Sequence, residues 1–175
     1  KLRPWWHHRL TSYDVQDTAL FMCLRASVEV LVSDVTIVMG VLHARAIEFK
    51  DTAMIGRTHL VHAEPITFGV KLANWYDEFA RQRQRLYRLQ EDVSVGKISG
   101  AGGMYTLDPR IEEIVCEVLG LRPVVSTQII SRDIIAEYVC TLANVAGSVE
   151  KVCNTLRLMQ QTEILEVEEY FDPSQ

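Results

Sequence analysis

The chain has 175 residues, and 18 Lys and Arg against 23 Asp and Glu give a formal net charge of −5. That length can bury a sizeable core, and the acidic balance argues against a general nucleic-acid-binding protein, although a small anionic ligand needs only a local group of cations. No Pro/Gly/Ser-rich linker and no repeat of solenoid period divides residues 1–175, which read as a single unit.

The opening run Lys1 to Trp6 lacks the apolar core of a signal peptide, and the chain is expected in the cytoplasm. Next, Thr11, Ser12 and Asp14 stand at a helix entrance, where each can accept a bond from an unpaired backbone N–H. One cap explains one of the three. Two adjacent hydroxyls at a helix N-terminus also suit a carboxylate or phosphate.

From about Asp14 to Lys50 a long helix is predicted. Leu24, Val28, Leu31, Val35, Val38 and Leu42 alternate four and three apart, and Val30, Ile37, Met39 and Val41 add a second apolar flank. A helix apolar on more than one side must be covered on more than one side, in part by partner subunits. Arg25, Glu29 and Asp34 interrupt it, so it is not expected to span a membrane.

Residues 54–69, Met-Ile-Gly-Arg-Thr-His-Leu-Val-His-Ala-Glu-Pro-Ile-Thr-Phe-Gly, gather two histidines, a carboxylate, an arginine and two threonines between Gly56, Pro65 and Gly69. Pro65 lacks a backbone donor and biases Glu64 away from the α region, which predicts a rigid connection presenting polar side chains.

A second helix is predicted from about Phe68 to Asp92, with Arg81, Arg83, Arg85 and Arg88 offset by Asp77, Glu78, Glu91 and Asp92 as a solvated or interfacial stripe. The glycine-rich run from Gly96 to Gly103 lacks Walker spacing and a preceding strand, so it is not read as a nucleotide P-loop. Pro109 opens a short helix that Gly120 ends. An extended connection, Arg122 to Asp133, carries Ser126-Thr127-Gln128. The last helix is predicted from about Asp133 to Glu169, with Leu142, Val145, Val149, Val152, Leu156 and Met159 forming a heptad seam. No stretch shows convincing strand alternation, so the class is all-α, a bundle of long helices. Cys23, Cys116, Cys140 and Cys153 are far apart in sequence, and three sit in apolar helical patterns. Buried thiols in a reducing compartment are expected, without a metal.

Several strings together resemble the fumarase/aspartase superfamily and, within it, the adenylosuccinate lyase family. They are His-x-x-Leu-Thr-Ser-x-Asp-Val from His7, Gly-Arg-Thr-His-x-x-His-Ala-Glu-Pro-x-Thr-Phe-Gly from Gly56, Gly-Lys-Ile-Ser-Gly-Ala from Gly96, and Ser-Thr-Gln from Ser126. The resemblance implies a bundle like the superfamily's central domain, with residues 1–175 covering only the central part of the family's chain. It implies elimination of fumarate from adenylosuccinate, leaving AMP, and from the related succinyl-carboxamide ribotide of purine synthesis. It further implies no cofactor and a homotetramer. Carried over by position, His59 is the general acid, and Thr11, Ser12, Thr58, Gln128 and His7 contact substrate, with His62 in support. The family's base, a serine in Gly-Ser-Ser-x-Met-Pro-x-Lys-x-Asn-Pro, is not among these residues, so residues 1–175 by themselves are expected to be inactive. Arg9 stands where the family pattern has glycine, and Arg132-Asp133 is followed by Ile134-Ile135 where Arg-His is usual. The alternative is a non-catalytic helical assembly module that keeps the lyase bundle.

Overall fold

The structure, a computed structural model, describes residues 7–170 and 172. In chain order the elements are α1 (Ser12–Glu48), β1 (Ala53–Thr58), β2 (Val61–Thr67), α2 (Phe68–Asp92), β3 (Val95–Gly96), α3 (Arg110–Leu119), β4 (Arg122–Pro123) and α4 (Asp133–Met159). The fold is all-α, with an antiparallel β1–β2 hairpin and a two-residue parallel contact of β3 with β4 as its only strand pairings among the described residues. The chain divides into two compact units, one within Lys1–Ser33 and Arg85–Thr141, the other within Asp34–Gln84 and Leu142–Gln175.

In the first unit the buried apolar residues include Phe21 and Val28 of α1, Leu86, Leu89 and Val93 on and just after α2, and Val95, Cys116, Leu121 and Ile130. The short helix starts one residue after Pro109 and ends as predicted at Gly120, whose φ of +65° lets its N–H reach Cys116 O and Glu117 O. In the second unit Val35, Met39 and Leu42 of α1, Leu72, Trp75 and Phe79 of α2, and Val145 and Met159 of α4 are buried. At Gly69 an added Cβ would lie 2.6 Å from Ala46 O and 2.5 Å from Lys50 Cα, so glycine here permits close approach of α2 to the end of α1.

Four expectations are corrected. The connection at 54–69 is a β-hairpin; its two-residue turn, His59-Leu60, lacks the Asn-Gly or Asp-Gly signature that marks such turns in sequence. The last helix stops at Met159 rather than Glu169. There the chain folds back, with Glu166 N–H donating to Met159 O at 3.0 Å and Leu165 at φ +48°, and the Glu166 side chain pairs with Arg57. Tertiary contacts thus override a sequence that suits a continued helix. Among the cysteines only Cys116 is buried; Cys23, Cys140 and Cys153 are exposed on the outer faces of their helices. Lastly, α1 is long and apolar enough to cross a membrane by length and composition, with an 18-residue window of mean hydropathy 1.7. Its buried Asp14, Asp17 and Thr18 nevertheless bond to the chain's own loops.

The second apolar flank of α1 stays largely uncovered: Val30, Ile37 and Val41 are 61%, 62% and 56% exposed. The α4 seam is buried at Val145 and Met159 and 45% exposed at Val149.

Candidate active site

The first unit holds Thr11, Ser12, Gln128 and His7. Two carboxylates one turn apart on α1 register the loops around them. Asp14 is fully buried and ion-paired with Lys97, itself fully buried, and it also accepts Thr11 N–H at 2.9 Å and Gly100 N–H at 3.2 Å. Lys97 Nζ donates to Gly100 O at 3.3 Å as well, so the charge pair has the additional hydrogen bonds that a buried pair requires. Asp17, 2% exposed, accepts Ile130 N–H at 2.7 Å and an Arg132 N–H at 2.9 Å. In this way Asp14 ties the entrance of α1 to the glycine-rich loop, and Asp17 ties the connection bearing Gln128 to the same face of α1.

Asp14, three residues on from Thr11, reaches back to the Thr11 N–H in the manner of half a capping box. That leaves the Thr11 and Ser12 hydroxyls, and the Gln128 amide, without hydrogen bonds among the described residues. The glycine-rich loop is held further by Ser99 Oγ and Ser126 Oγ at 3.1 Å, by Tyr105 OH donating to Glu112 at 2.7 Å, and by Ile98 N–H donating to Glu112 at 2.7 Å. At Gly103, φ is +76° and an added Cβ would lie 2.2 Å from Ser126 O; the loop therefore rests directly on the segment that carries Gln128. Contrary to the expectation a strand, β3, does lead into this run, but Lys97 is buried in its ion pair and offers nothing to a phosphate outside. Burial, reinforced by Glu112, pushes the Cys116 thiol up to about 11.

His7 is exposed, with φ +65°, and its carbonyl accepts Leu10 N–H at 3.3 Å. Arg9 adopts φ +58°. This is the left-handed backbone for which glycine is the default residue, and it supplies the physical reason a glycine suits that position. Arg9 O is held by Thr106 Oγ1 at 2.6 Å.

The second unit holds Thr58 and His59 on the hairpin. Register runs from Ala53↔Thr67 to Thr58↔Val61, leaving His59 and Leu60 as the turn, with φ +53° and +64°. Positive φ at both central residues is what a type I′ turn needs. Between Ile55↔Pro65 and Arg57↔His62 one strand residue, Gly56, faces two, Ala63 and Glu64, and a Cβ at Gly56 would lie 2.7 Å from Glu64 O. The hairpin is anchored at its base by Phe68 N–H to Thr52 O at 2.8 Å and by the Phe49 and Phe68 rings, 5.3 Å apart. Near its tip Arg57 donates to Glu166 Oε1 at 2.7 Å. Arg57 and His62 are cross-strand partners and, with Lys71, Leu158 and Glu166, line a cavity of about 590 Å³. Thr58 and His59 are exposed and make no side-chain hydrogen bond among the described residues.

The structure therefore brings Thr11, Ser12 and Gln128 onto one framework in one unit and places Thr58 and His59 together in the other. Sequence reasoning missed the framework itself: Asp17, Lys97, Glu112, Arg57 and Glu166. A signal existed for Asp17, because two acids three residues apart on the apolar face that continues into Phe21 and Val28 need buried partners.

A family model described as Lyase matches residues 2–175. An adenylosuccinate lyase of Synechocystis sp. is 48% identical over 171 residues, covering 97% of this chain and 40% of the relative. One of Bacillus subtilis is 46% identical over 175 residues, covering 99% and 41%. Among solved structures, a fumarate lyase from Mesorhizobium sp. BNC1 superposes with a TM-score of 0.88 at 35% identity, over 93% of this chain and 40% of that one. A 3-carboxy-cis,cis-muconate lactonizing enzyme from Pseudomonas putida gives 0.88 at 33% identity, over 96% and 39%. The chain spans about 40% of the length of these relatives.

Proposed function

The chain belongs to the Lyase family, and we propose that it is the central part of an adenylosuccinate lyase, releasing fumarate from adenylosuccinate and from the related succinyl-carboxamide ribotide of purine nucleotide biosynthesis. In this elimination a base removes a proton beside a carboxylate, the carbon–nitrogen bond breaks, the double bond of fumarate forms, and an acid protonates the leaving nitrogen. His59 is the acid, since an imidazole can carry and release a proton near neutrality. Thr11, Ser12, Thr58 and Gln128 hold the carboxylates and the leaving group, with His7 beside them. The base is the serine of the family's loop, outside residues 1–175.

One observation carries this reading. The side chains that build the framework, Asp14, Asp17, Lys97 and Arg57, are paired inside the fold, whereas those of Thr11, Ser12, Gln128, Thr58 and His59 make no hydrogen bond among the described residues. A fold kept only for assembly has no need to fix such groups and leave them unbonded. The identity to adenylosuccinate lyases favours that substrate over the lactonizing chemistry of the structural neighbour.

The same reading places the whole protein in the cytoplasm as a homotetramer. The uncovered flank of α1 at Val30, Ile37 and Val41 supports association.

The test is His59→Ala in the complete protein, with fumarate release measured by ultraviolet absorbance. Turnover is expected to fall by about 100-fold or more with the fold intact, because a general acid contributes about 10² to 10⁴ in rate. A loss below about tenfold removes His59 from the acid role, and a wild-type protein that releases no fumarate supports the assembly module instead.

A further inference from the structure

Arg132 stands at the entrance of α4, where its carbonyl accepts Ala136 N–H at 3.0 Å, and its side chain is 39% exposed. One guanidinium nitrogen donates to Asp17 Oδ1 at 2.9 Å, and the guanidinium carbon lies 5.9 Å from the centre of the Tyr13 ring. Tyr13 and Asp17 are four residues apart and so share one face of α1. Touching both, the guanidinium lies along the first turns of that helix. The other oxygen of Asp17 takes the N–H of Ile130, two residues beyond Gln128. A single buried carboxylate thus fixes both the Gln128 segment and the arginine.

An arginine has five N–H donors in a planar fork. Asp17 takes one, and the remaining donors have no acceptor among the described residues. Ser12, Gln128 and Arg132 are all exposed, and the hydroxyls of Thr11 and Ser12 make no hydrogen bond among the described residues. If Arg132 served only to neutralise Asp17, a buried, fully bonded guanidinium would do so better than one held at its edge over a tyrosine ring.

We infer that Arg132, held by Asp17 and Tyr13, is a further anion-binding residue that works with Thr11, Ser12 and Gln128, taking a carboxylate of the substrate on the free side of its fork. The inference rests on the proposed lyase reading for the identity of that carboxylate. A planar fork matches a carboxylate through two parallel bonds, which a lysine at the same place does not reproduce.

The test uses the complete protein in three forms besides wild type: Arg132→Lys, Arg132→Gln, and Asp17→Asn with Arg132→Gln. The double variant leaves no unpaired buried charge, and an asparagine oxygen can still accept Ile130 N–H, so folding is kept apart from binding. Substrate KM and kcat are measured, together with the affinities of fumarate and of inorganic phosphate by calorimetry. The expected result is a KM about tenfold or more higher in both the Gln variant and the double variant, with a much smaller change in kcat and partial rescue by Lys. Fumarate affinity should fall in parallel; a fall for phosphate alone would overturn the carboxylate assignment. Wild-type KM and fumarate affinity in the double variant would show that Arg132 only balances Asp17, and would overturn the inference. Should the wild-type protein lack turnover, the lyase reading fails, while loss of fumarate affinity in the Gln variants still supports Arg132 as the anion contact.

Discussion

Replacing Leu60 by glycine is expected to stabilise the protein, and replacing it by alanine is not. Leu60 occupies the second position of the hairpin turn at φ +64°, and its side chain is 81% exposed. Little packing is therefore lost by truncation, and the backbone decides the outcome. A left-handed conformation costs a residue with a Cβ about 1–2 kcal/mol, whereas glycine pays about 0.5–1 kcal/mol more in chain entropy on folding. The difference favours glycine by about 0.5–1 kcal/mol, and a protein of this size gains about 2–4 °C in Tm per kcal/mol. Thermal unfolding followed by circular dichroism should show a rise of about 1–4 °C for Leu60→Gly. Leu60→Ala keeps the Cβ and the strain, and should stay close to wild type. A glycine variant less stable than the alanine variant would show that turn strain is not the controlling effect, and an alanine variant well below wild type would mean that Leu60 contributes through contacts with the walls of the cavity beside Arg57.

Lys97→Met should destabilise the protein by about 3–5 kcal/mol, because it leaves the buried Asp14 carboxylate without its cation; chemical denaturation checks this, and adding Asp14→Asn should recover a large part of the loss. The Cys116 thiol, pushed up to about 11 from an ordinary 9.0, should resist alkylation at pH 8 while exposed Cys23, Cys140 and Cys153 react, as peptide mass mapping would show. The same shift sets a pH dependence. Between pH 9 and 11 the unfolded chain releases this proton before the folded one does, so the stabilisation present below 9 is lost as pH rises through the folded value, and Cys116→Ala should weaken that alkaline loss.

The long helices were legible because their apolar periods extend over many turns, and α2 has the bounds its sequence predicts, Phe68–Asp92. Where periodicity competed with a specific tertiary contact the sequence misled: α4 ends ten residues early because Glu166 turns back to Arg57 and to Met159 O. The hairpin was hidden for a related reason, since neither His59 nor Leu60 is a usual residue for its turn. The residues of the candidate site were visible only through whole strings. Nothing in the spacing of Thr11, Gln128 or His59 reveals that Asp14, Asp17 and Lys97 hold the loops around two of them, because those bonds join residues up to 115 positions apart.

The distribution of backbone strain bears on which reading of the chain is right. Among the described residues, positive φ at residues other than glycine occurs at His7, Arg9, His59, Leu60, Tyr105 and Leu165. The first two lie at the approach to Thr11 and Ser12, the next two form the hairpin tip, and Tyr105 lies in the glycine-rich loop that rests on the Gln128 segment. Leu165 forms the turn that brings Glu166 to Arg57. Each such residue costs about 1–2 kcal/mol and persists only where its surroundings over-determine it. Those surroundings are the bonds already described: Thr106 on Arg9 O, Glu112 on Tyr105, Phe68 N–H on Thr52 O at the hairpin base, and Glu166 on Arg57 near the tip. A module kept only for helix association would shed strain in its loops, where substitution is easiest. Here the loops that carry the candidate site residues hold it, which is the distribution expected when loop geometry serves chemistry.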